Sequence, residues 1–161
     1  MTRVIELAAR NVEAGGRPFA CVITRDGEVI AESPNLVAQT NDPTAHAEVV
    51  AIREACRRLG TEHLVGCEVH VLAYPCPMCL AALYYCSPDR VHYAVAREDY
   101  SVFYRDDRRY FDFEGFYEEF AKAPGDRRLP ALRSPVVGAL DIYRRWARTV
   151  TNQPASAGST S

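Results

Sequence analysis

Cys76 and Cys79 stand three positions apart behind a proline, in the stretch YPCPMC, and His46 precedes them in the chain. Cysteine thiolates and the histidine imidazole are frequent ligands of Zn²⁺ in proteins. Two cysteines at this spacing also suit a redox dithiol or one half of a structural zinc finger. The cysteine pair alone therefore leaves three kinds of site open, and its surroundings have to decide between them.

A catalytic metal site is favoured because each of the three candidate ligands lies where a helix is predicted to begin. The positive partial charge of a helix N-terminus favours the thiolate form of cysteine, which is the form that binds metal. Cys86 lies seven residues beyond Cys79, or about 10 Å along a continuous helix, and so cannot share the same ion. His46, Cys76 and Cys79 then leave a fourth position open for water, although iron also fits such a donor set.

Glu48 follows His46 by two residues, and its carboxylate supplies the missing acid–base group. Residues two apart on a regular helix point to opposite sides, so the two side chains can converge only beyond the helix N-terminus. A carboxylate placed there can take a proton from a zinc-activated water and pass it to a leaving amine. These residues predict hydrolytic attack on an sp² carbon that carries an amine.

The elements that position these residues follow an alternating order of helices and strands. Apolar periodicity and the stop signals at glycine or proline predict helices over residues 4–12, 46–60 and 77–86. Runs rich in β-branched residues predict strands over residues 19–24, 28–33, 67–73 and 90–96. The order α-β-β-α-β-α-β predicts a mixed sheet covered by helices, and a further helix is expected to end at RRWARTV.

Size and composition describe an ordinary globular chain of 161 residues with a net charge of −2. We expect one domain over residues 1–150 and a disordered polar tail over 151–161. No apolar run approaches the roughly 20 residues of a membrane span, and the N-terminus lacks the apolar core of a secretory signal. The expected location is the cytoplasm, where the six cysteines are thiols or metal ligands.

The string His46-Ala47-Glu48, followed by Pro75-Cys76-Pro77-Met78-Cys79, resembles the signature of the cytidine deaminase superfamily. Within it, TNDPTAHAEVVAIREAC and YPCPMCLAALYY look most like bacterial guanine deaminases, and the likeness covers roughly residues 4–148. The resemblance implies an α/β protein with a three-layer α/β/α cytidine-deaminase-like fold and a central mixed sheet of about five strands.

The resemblance also implies a role for each matching residue. His46, Cys76 and Cys79 would bind zinc, and Glu48 would shuttle protons. Asp107 stands where guanine deaminases have an acidic residue near the substrate, so it would help to protonate the leaving amine. The residues that would contact the base are Asn35, Phe19, Ala47 and Tyr74.

The chain departs from the family pattern beside the expected substrate. Tyr74 replaces the usual glutamate before Pro75, and Ala20-Cys21 replace the common Gly-Ala pair. A polar tail replaces the terminal tyrosine of well-known guanine deaminases. Deamination of a free base is therefore predicted, while guanine, isoguanine, cytosine-like and azacytosine-like rings all stay open as substrates.

The expected partners are a small nucleobase and a second copy of the chain. The resemblance implies a homodimer in which the C-terminal segment crosses to the partner and covers its active site. A tRNA adenosine deaminase is an alternative that needs a basic groove, yet residues 101–148 hold ten Lys or Arg beside eight Asp or Glu. Contact with nucleic acid is therefore not expected. An alternative of another class is a zinc-stabilised binding module without turnover.

Overall fold

The structure is a computed structural model, and it describes residues 1–105, 108–111 and 115–151. The chain divides into two compact units, Met1–Phe116 and Tyr117–Ser161. Among the described residues, none of the helices has the length and apolar character that crossing a bilayer requires.

The first unit contains every long element that the sequence predicts there, together with two short helices that it does not. Its helices are α1 (Thr2–Glu13), α2 (Val37–Thr40), α3 (Ala47–Leu59), α4 (Pro77–Cys86) and α5 (Arg97–Tyr100). Its strands are β1 (Arg17–Arg25), β2 (Glu28–Asn35), β3 (Cys67–Ala73) and β4 (Arg90–Val95). The predicted starts of α3 and α4 are confirmed to within one residue.

The four strands form one mixed sheet in the order β2-β1-β3-β4. β1 runs antiparallel to both of its neighbours, whereas β3 and β4 are parallel. The mixed sheet is confirmed, but the expected count of about five strands is wrong for the described part of the chain. Charged and aromatic residues without an apolar run follow β4, and they form α5, turns and a single bridge between Arg108 and Phe111.

Helices cover both faces of this sheet, which confirms the three-layer architecture. On one face, Val4 and Ala8 of α1 pack against Ala20 and Val22 of β1. On the other, α3 and α4 bury alanines and a leucine against the alternate residues of the strands. This larger core consists of Cys21, Ile23, Ala31, Ala47, Ala51, Ala55, Leu64, Cys67, Val69, Val71, Leu83 and Cys86.

The β1–β2 hairpin has an ordinary turn at one end and an irregular ladder at the other. Asp26 and Gly27 both have positive φ, at 52° and 81°, which matches the right-handed twist of the strands. At the other end, Arg17 pairs with Asn35 whereas Ala20 pairs with Pro34, so residues 18–19 bulge out of the ladder. The bulge carries Phe19, and it lies beside the end of β2.

The second unit consists of short helical segments and one longer helix. Its elements are α6 (Phe116–Ala121), which begins on the last residue of the first unit, a 3-10 turn at Pro124–Asp126, and α7 (Ala139–Thr151). α7 includes the helix expected to end at RRWARTV. Thr151, the first residue of the tail predicted over 151–161, ends α7, and residues 152–161 lie outside the described residues. The single domain over residues 1–150 stays a prediction.

Candidate active site

His46 and Cys76 are the N-cap residues of α3 and α4. Both have extended backbones, with φ/ψ of −65°/150° and −68°/165°, while their carbonyl groups accept the first hydrogen bonds of the helices. The donors are the Val50 amide at 3.0 Å and the Leu80 amide at 2.8 Å. In the turn before α3, Thr44 donates from its amide and its hydroxyl group to the Asp42 carboxylate. Two non-helical residues are thereby placed where helix dipoles favour a negative ligand group.

The side chains of His46, Cys76 and Cys79 converge on one point. Nδ1 of His46 lies 3.5 Å from each of the two sulfurs, and all three ligand atoms lie within 4.8 Å of one another. Within the part of the chain that the structure describes, this is the one group of histidine, cysteine or acidic side chains that can hold a metal.

The donor set and its spacing fit a zinc ion. A nitrogen ligand at about 2.0 Å and a sulfur ligand at about 2.3 Å, set at the tetrahedral angle, lie roughly 3.5 Å apart. The observed nitrogen–sulfur separations of 3.5 Å match that geometry. Cys86 takes no part, because its buried thiol bonds the Leu83 carbonyl within the core. Three protein ligands are the number typical of catalytic zinc.

The two thiols differ in how readily each loses its proton. Hydrogen bonds from Cys79 and from His46 lower the pKa of Cys76 to about 4, so Cys76 is a thiolate at neutral pH. The pKa of Cys79 is raised, first because it donates to Cys76 and then because it is buried. A metal ion has to displace only that remaining proton, so uptake of the ion is expected to release it.

Glu48 brings a buried carboxyl group to the metal ligands. The residue is 8% exposed, and burial raises the pKa of its carboxyl group, with a further contribution from the charge of Cys76. The Cys79 side chain lowers the same pKa, so it is close enough to act on the carboxyl group. The convergence of His46 and Glu48 is possible because His46 precedes the first helical residue and is free of the helical spacing rule.

Asn35 lies at the end of β2. The residue that follows it is hydrogen-bonded to the segment that leads into the metal site. The Leu36 amide donates to the carbonyl of Ala45 at 2.9 Å, and Ala45 directly precedes His46. Oδ1 of Asn35 accepts from the Val37 amide at 3.1 Å, so the side chain offers its Nδ2 group as a donor. Asn35 is 2% exposed, and its proposed contact with a base stays a prediction.

Phe19 contacts two tyrosines that are not among the site residues predicted from the sequence. Its ring meets Tyr104 edge-on at 4.9 Å and Tyr100 at 6.0 Å between centroids. Burial raises the pKa of Tyr100, and the charges of Cys76 and Glu48 add to the rise, so Tyr100 lies within range of the charges of this site. Tyr100 follows β4, and β4 is parallel to β3. Its place shortly after this strand was the one signal in the sequence that Tyr100 lies near the site. Parallel strands end at the same edge of a sheet, and β3 ends beside Cys76.

The remaining predicted site residues are Ala47, Tyr74 and Asp107. Ala47 is fully buried, and its methyl group packs in the larger core. Tyr74 is partly exposed and meets Tyr93 edge-on at 5.3 Å. Asp107 lies outside the described residues. The substrate contacts of Ala47 and Tyr74 and the proton transfer by Asp107 therefore stay predictions.

Comparison with known proteins shows which family and which relatives the chain is similar to. Residues 1–95 match the model of the cytidine and deoxycytidylate deaminase zinc-binding region. Over 147 residues the chain is 40% identical to guanine deaminase of Bacillus subtilis (strain 168), a match that covers 91% of this chain and 90% of that protein. The X-ray structure of the Bacillus subtilis enzyme agrees, with a TM-score of 0.83 and 39% identity over 95% of this chain and 94% of that one.

Two other relatives match less of the chain. A structure of guanine deaminase from Nitrosomonas europaea has a TM-score of 0.60 and 27% identity, covering 73% of this chain and 69% of that one. The tRNA-specific adenosine deaminase of Aquifex aeolicus is 50% identical over 76 residues, which are 47% of this chain and 50% of that protein. The similarity to the tRNA enzyme is thus confined to about half of each protein.

Proposed function

This chain belongs to the family defined by the cytidine and deoxycytidylate deaminase zinc-binding region, and from that premise we propose that it is a zinc-dependent aminohydrolase of free nucleobases. The observation that carries the proposal is the group of His46, Cys76 and Cys79 with the buried carboxyl of Glu48 beside it. The reaction replaces an exocyclic amine of the ring by oxygen: a C–O bond forms, the C–N bond breaks, and ammonia leaves.

His46, Cys76 and Cys79 would hold the zinc ion, and Glu48 would move the protons. Zinc in such a site supplies Lewis-acid chemistry and lowers the pKa of a water molecule to about 7. The Glu48 carboxylate takes one proton of the attacking water and delivers it to a ring nitrogen, and it then takes the proton of the added hydroxyl group and delivers it to the amine, which departs as ammonia. Burial suits this role, because it raises the proton affinity of the carboxylate above that of an exposed glutamate.

Asn35, Phe19 and Tyr100 would hold the ring. Nδ2 of Asn35 can donate to an acceptor on the ring edge, and the aromatic rings of Phe19 and Tyr100 supply an apolar wall. A buried donor of this kind discriminates strongly between rings, because a ring that lacks the acceptor leaves the donor unpaired. The substrate class is thus a planar base with a hydrogen-bond acceptor beside the reacting carbon.

A free base such as guanine is favoured over tRNA by the extent of the matches. The similarity to guanine deaminase covers about nine tenths of both chains, whereas the similarity to tRNA-specific adenosine deaminase covers about half. The net charge of −2 adds no attraction for a polyanion. We therefore propose guanine or a guanine-like ring as substrate and, with it, a role in purine metabolism in the cytoplasm.

We also propose that the enzyme is a homodimer. Large apolar side chains are exposed in each of the two units, including Tyr85 at 87% and Phe103 at 90% in the first and Trp146 at 64% in the second. Exposed apolar side chains commonly mark protein–protein contacts where they form a contiguous patch. The family resemblance adds that the C-terminal segment crosses to the partner. Light scattering on the wild type and on Trp146→Asp tests this, and a monomeric wild type at micromolar concentration would refute it.

The test of the activity is ammonia release from a panel of free bases. Guanine, isoguanine, adenine, cytosine, azacytosine and unmodified tRNA are each incubated with the zinc-loaded protein and with Glu48→Gln as control. We expect fast release from guanine or a guanine-like ring and none from the variant. Release from tRNA alone would overturn the proposed substrate class. A protein that retains zinc but acts on nothing would support the binding module instead.

A further inference from the structure

A buried asparagine on α1, Asn11, ties together the backbone segments that carry the proposed base-binding residues. Its Nδ2 group donates to the carbonyl of Arg17 at 2.7 Å and to the carbonyl of Asn35 at 2.8 Å. Its Oδ1 atom accepts from Nε2 of Gln39 at 2.7 Å. Asn11 is 6% exposed, so these three hydrogen bonds form where water competes little.

The two carbonyl groups that Asn11 joins belong to residues that pair at the end of the β1–β2 ladder. Arg17 and Asn35 face each other there, and the bulge that follows in β1 contains Phe19. A bulged strand end lacks regular ladder hydrogen bonds, so its position depends on bonds from outside the sheet. The side chain of Asn11 supplies such bonds to both strands at once.

The connection continues from Asn35 to the metal ligands. Leu36 donates to the carbonyl of Ala45, the residue before His46, while the Val37 amide fixes the orientation of the Asn35 side chain. A displacement of the Asn35 backbone would therefore move the Asn35 amide relative to His46. Asn11 belongs to α1, which packs on the opposite face of the sheet from α3 and α4 and which the proposed mechanism does not use.

We propose that Asn11 is a positioning residue: it sets the distance and orientation of Asn35 relative to the metal ligands, and thereby the affinity for the ring. This inference rests on the proposed function for the identity of the ring. The position of the Asn35 segment can be measured without any substrate. Asn11 acts through Asn35 and has no role in proton transfer.

Gly16 offers a second way to disturb the same contact. A Cβ atom at Gly16 would fall on the side-chain amides of both Asn11 and Gln39. Gly16→Ala therefore displaces the two amides without changing either residue. Gln39→Met is milder, because it removes only the bond to Oδ1 of Asn11 and leaves both bonds to the carbonyl groups in place.

The principal variant is Asn11→Asp, which keeps the size of the side chain and replaces the Nδ2 donor by an oxygen facing two carbonyl groups. The matched control is Val4→Ala, which weakens the packing of the same helix against Ala20 and Val22 and leaves the bonds of Asn11 intact. Both variants lower stability, so a difference between them isolates the link to Asn35.

Two measurements follow for each variant. With guanine, or the ring that the wild type converts fastest, we expect Asn11→Asp and Gly16→Ala to raise KM roughly tenfold or more, with a much smaller change in kcat and unchanged zinc content. Gln39→Met should give a smaller rise, and Val4→Ala none. By hydrogen exchange, the Leu36 and Val37 amides should lose protection in Asn11→Asp and keep it in Val4→Ala.

The outcomes separate this inference from the proposed function. Unchanged exchange at Leu36 and Val37, or lost protection with an unchanged KM, would overturn the positioning role. If Asn11→Asp does not fold, Gly16→Ala and Gln39→Met still decide by the same two measurements. If the wild type converted no ring, the proposed function would fall, while the exchange data would still show whether Asn11 holds the Asn35 segment.

Discussion

Two glutamates in different units of the molecule have the same low exposed fraction and yet differ in their chemistry. Glu48 in the first unit and Glu119 in the second are each 8% exposed. Lys122 lies 2.7 Å from the Glu119 carboxylate, and the Arg128 side chain and backbone amide approach it as well. These partners, Lys122 foremost, lower the pKa of Glu119. For Glu48, burial beside the metal ligands raises the pKa instead.

The comparison teaches that burial alone does not identify a catalytic carboxylate. A glutamate surrounded by cations and an amide stays ionised and contributes to the fold. A glutamate that is desolvated beside thiols and an imidazole binds a proton more readily, which is what a proton shuttle requires. The partners of the carboxylate decide which of the two roles it has.

The largest expected effect is on turnover, in Glu48→Gln. The amide cannot accept the proton of the attacking water, so we expect kcat to fall by about 10²–10⁴-fold. Zinc content, measured by elemental analysis, should not change because the three ligands remain. Glu119→Gln is the matched control, because Glu119 has the same exposed fraction as Glu48. A fall of less than tenfold in Glu48→Gln would assign the proton transfer to another group.

A smaller effect of the same variant is expected on the stability of the zinc-free protein. Because burial raises the folded-state pKa of Glu48, its contribution to stability is complete below the unfolded pKa, near 4.5, and is lost as pH rises through the folded-state value. Glu48→Gln should therefore melt a few degrees higher than the wild type at neutral pH. Thermal melts in chelator test this, and a lower melting temperature would contradict the desolvation argument.

Glu119→Gln should have a still smaller effect, and of the opposite sign. Its partners Lys122 and Arg128 are 49% and 44% exposed, so solvent screens the ion pairs. We expect the melting temperature to fall slightly, with kcat and KM unchanged. A loss of activity comparable to that of Glu48→Gln would show that the second unit takes part in the chemistry.

The smallest expected effect is the pH dependence of the difference in melting temperature between the wild type and Glu119→Gln. The folded-state pKa of Glu119 is lowered, so its contribution is present above the unfolded pKa, near 4.5, and is lost as pH falls through the lowered value. The difference in melting temperature between wild type and Glu119→Gln should thus vanish on acidification. Melts at a series of pH values check the sign, and a deficit that grows in acid would refute it.

The metal ligands could be predicted because their signals are local. Few side chains bind zinc, and helix start signals beside His46 and Cys76 place them at N-termini whatever the rest of the chain does. The strands from residue 17 to residue 95 were equally readable, since alternating or continuous apolar runs lie between clear turns. The four strands read from the sequence are the four observed in the described residues, whereas the wrong count of about five came from the family resemblance.

Tyr100 and Asn11 could not be predicted in the same way. Tyr100 lies within range of the charges of Cys76 and Glu48 because β3 and β4 are parallel and end at one edge of the sheet. Asn11 reads as one more polar position on an amphipathic helix. Its importance comes from two carbonyl groups that lie 6 and 24 residues away in the chain.

The sequence by itself determined the donor set, the candidate for the proton-transfer group and the order of the elements, because ligand chemistry and backbone propensity act through each residue and its near neighbours. Only the tertiary structure decided which aromatic residues lie together near the metal ligands, which carboxylate is desolvated and which side chain holds Asn35 in place. These properties depend on contacts between segments distant in the chain. Such contacts exist only after the sheet has paired and both of its faces are packed.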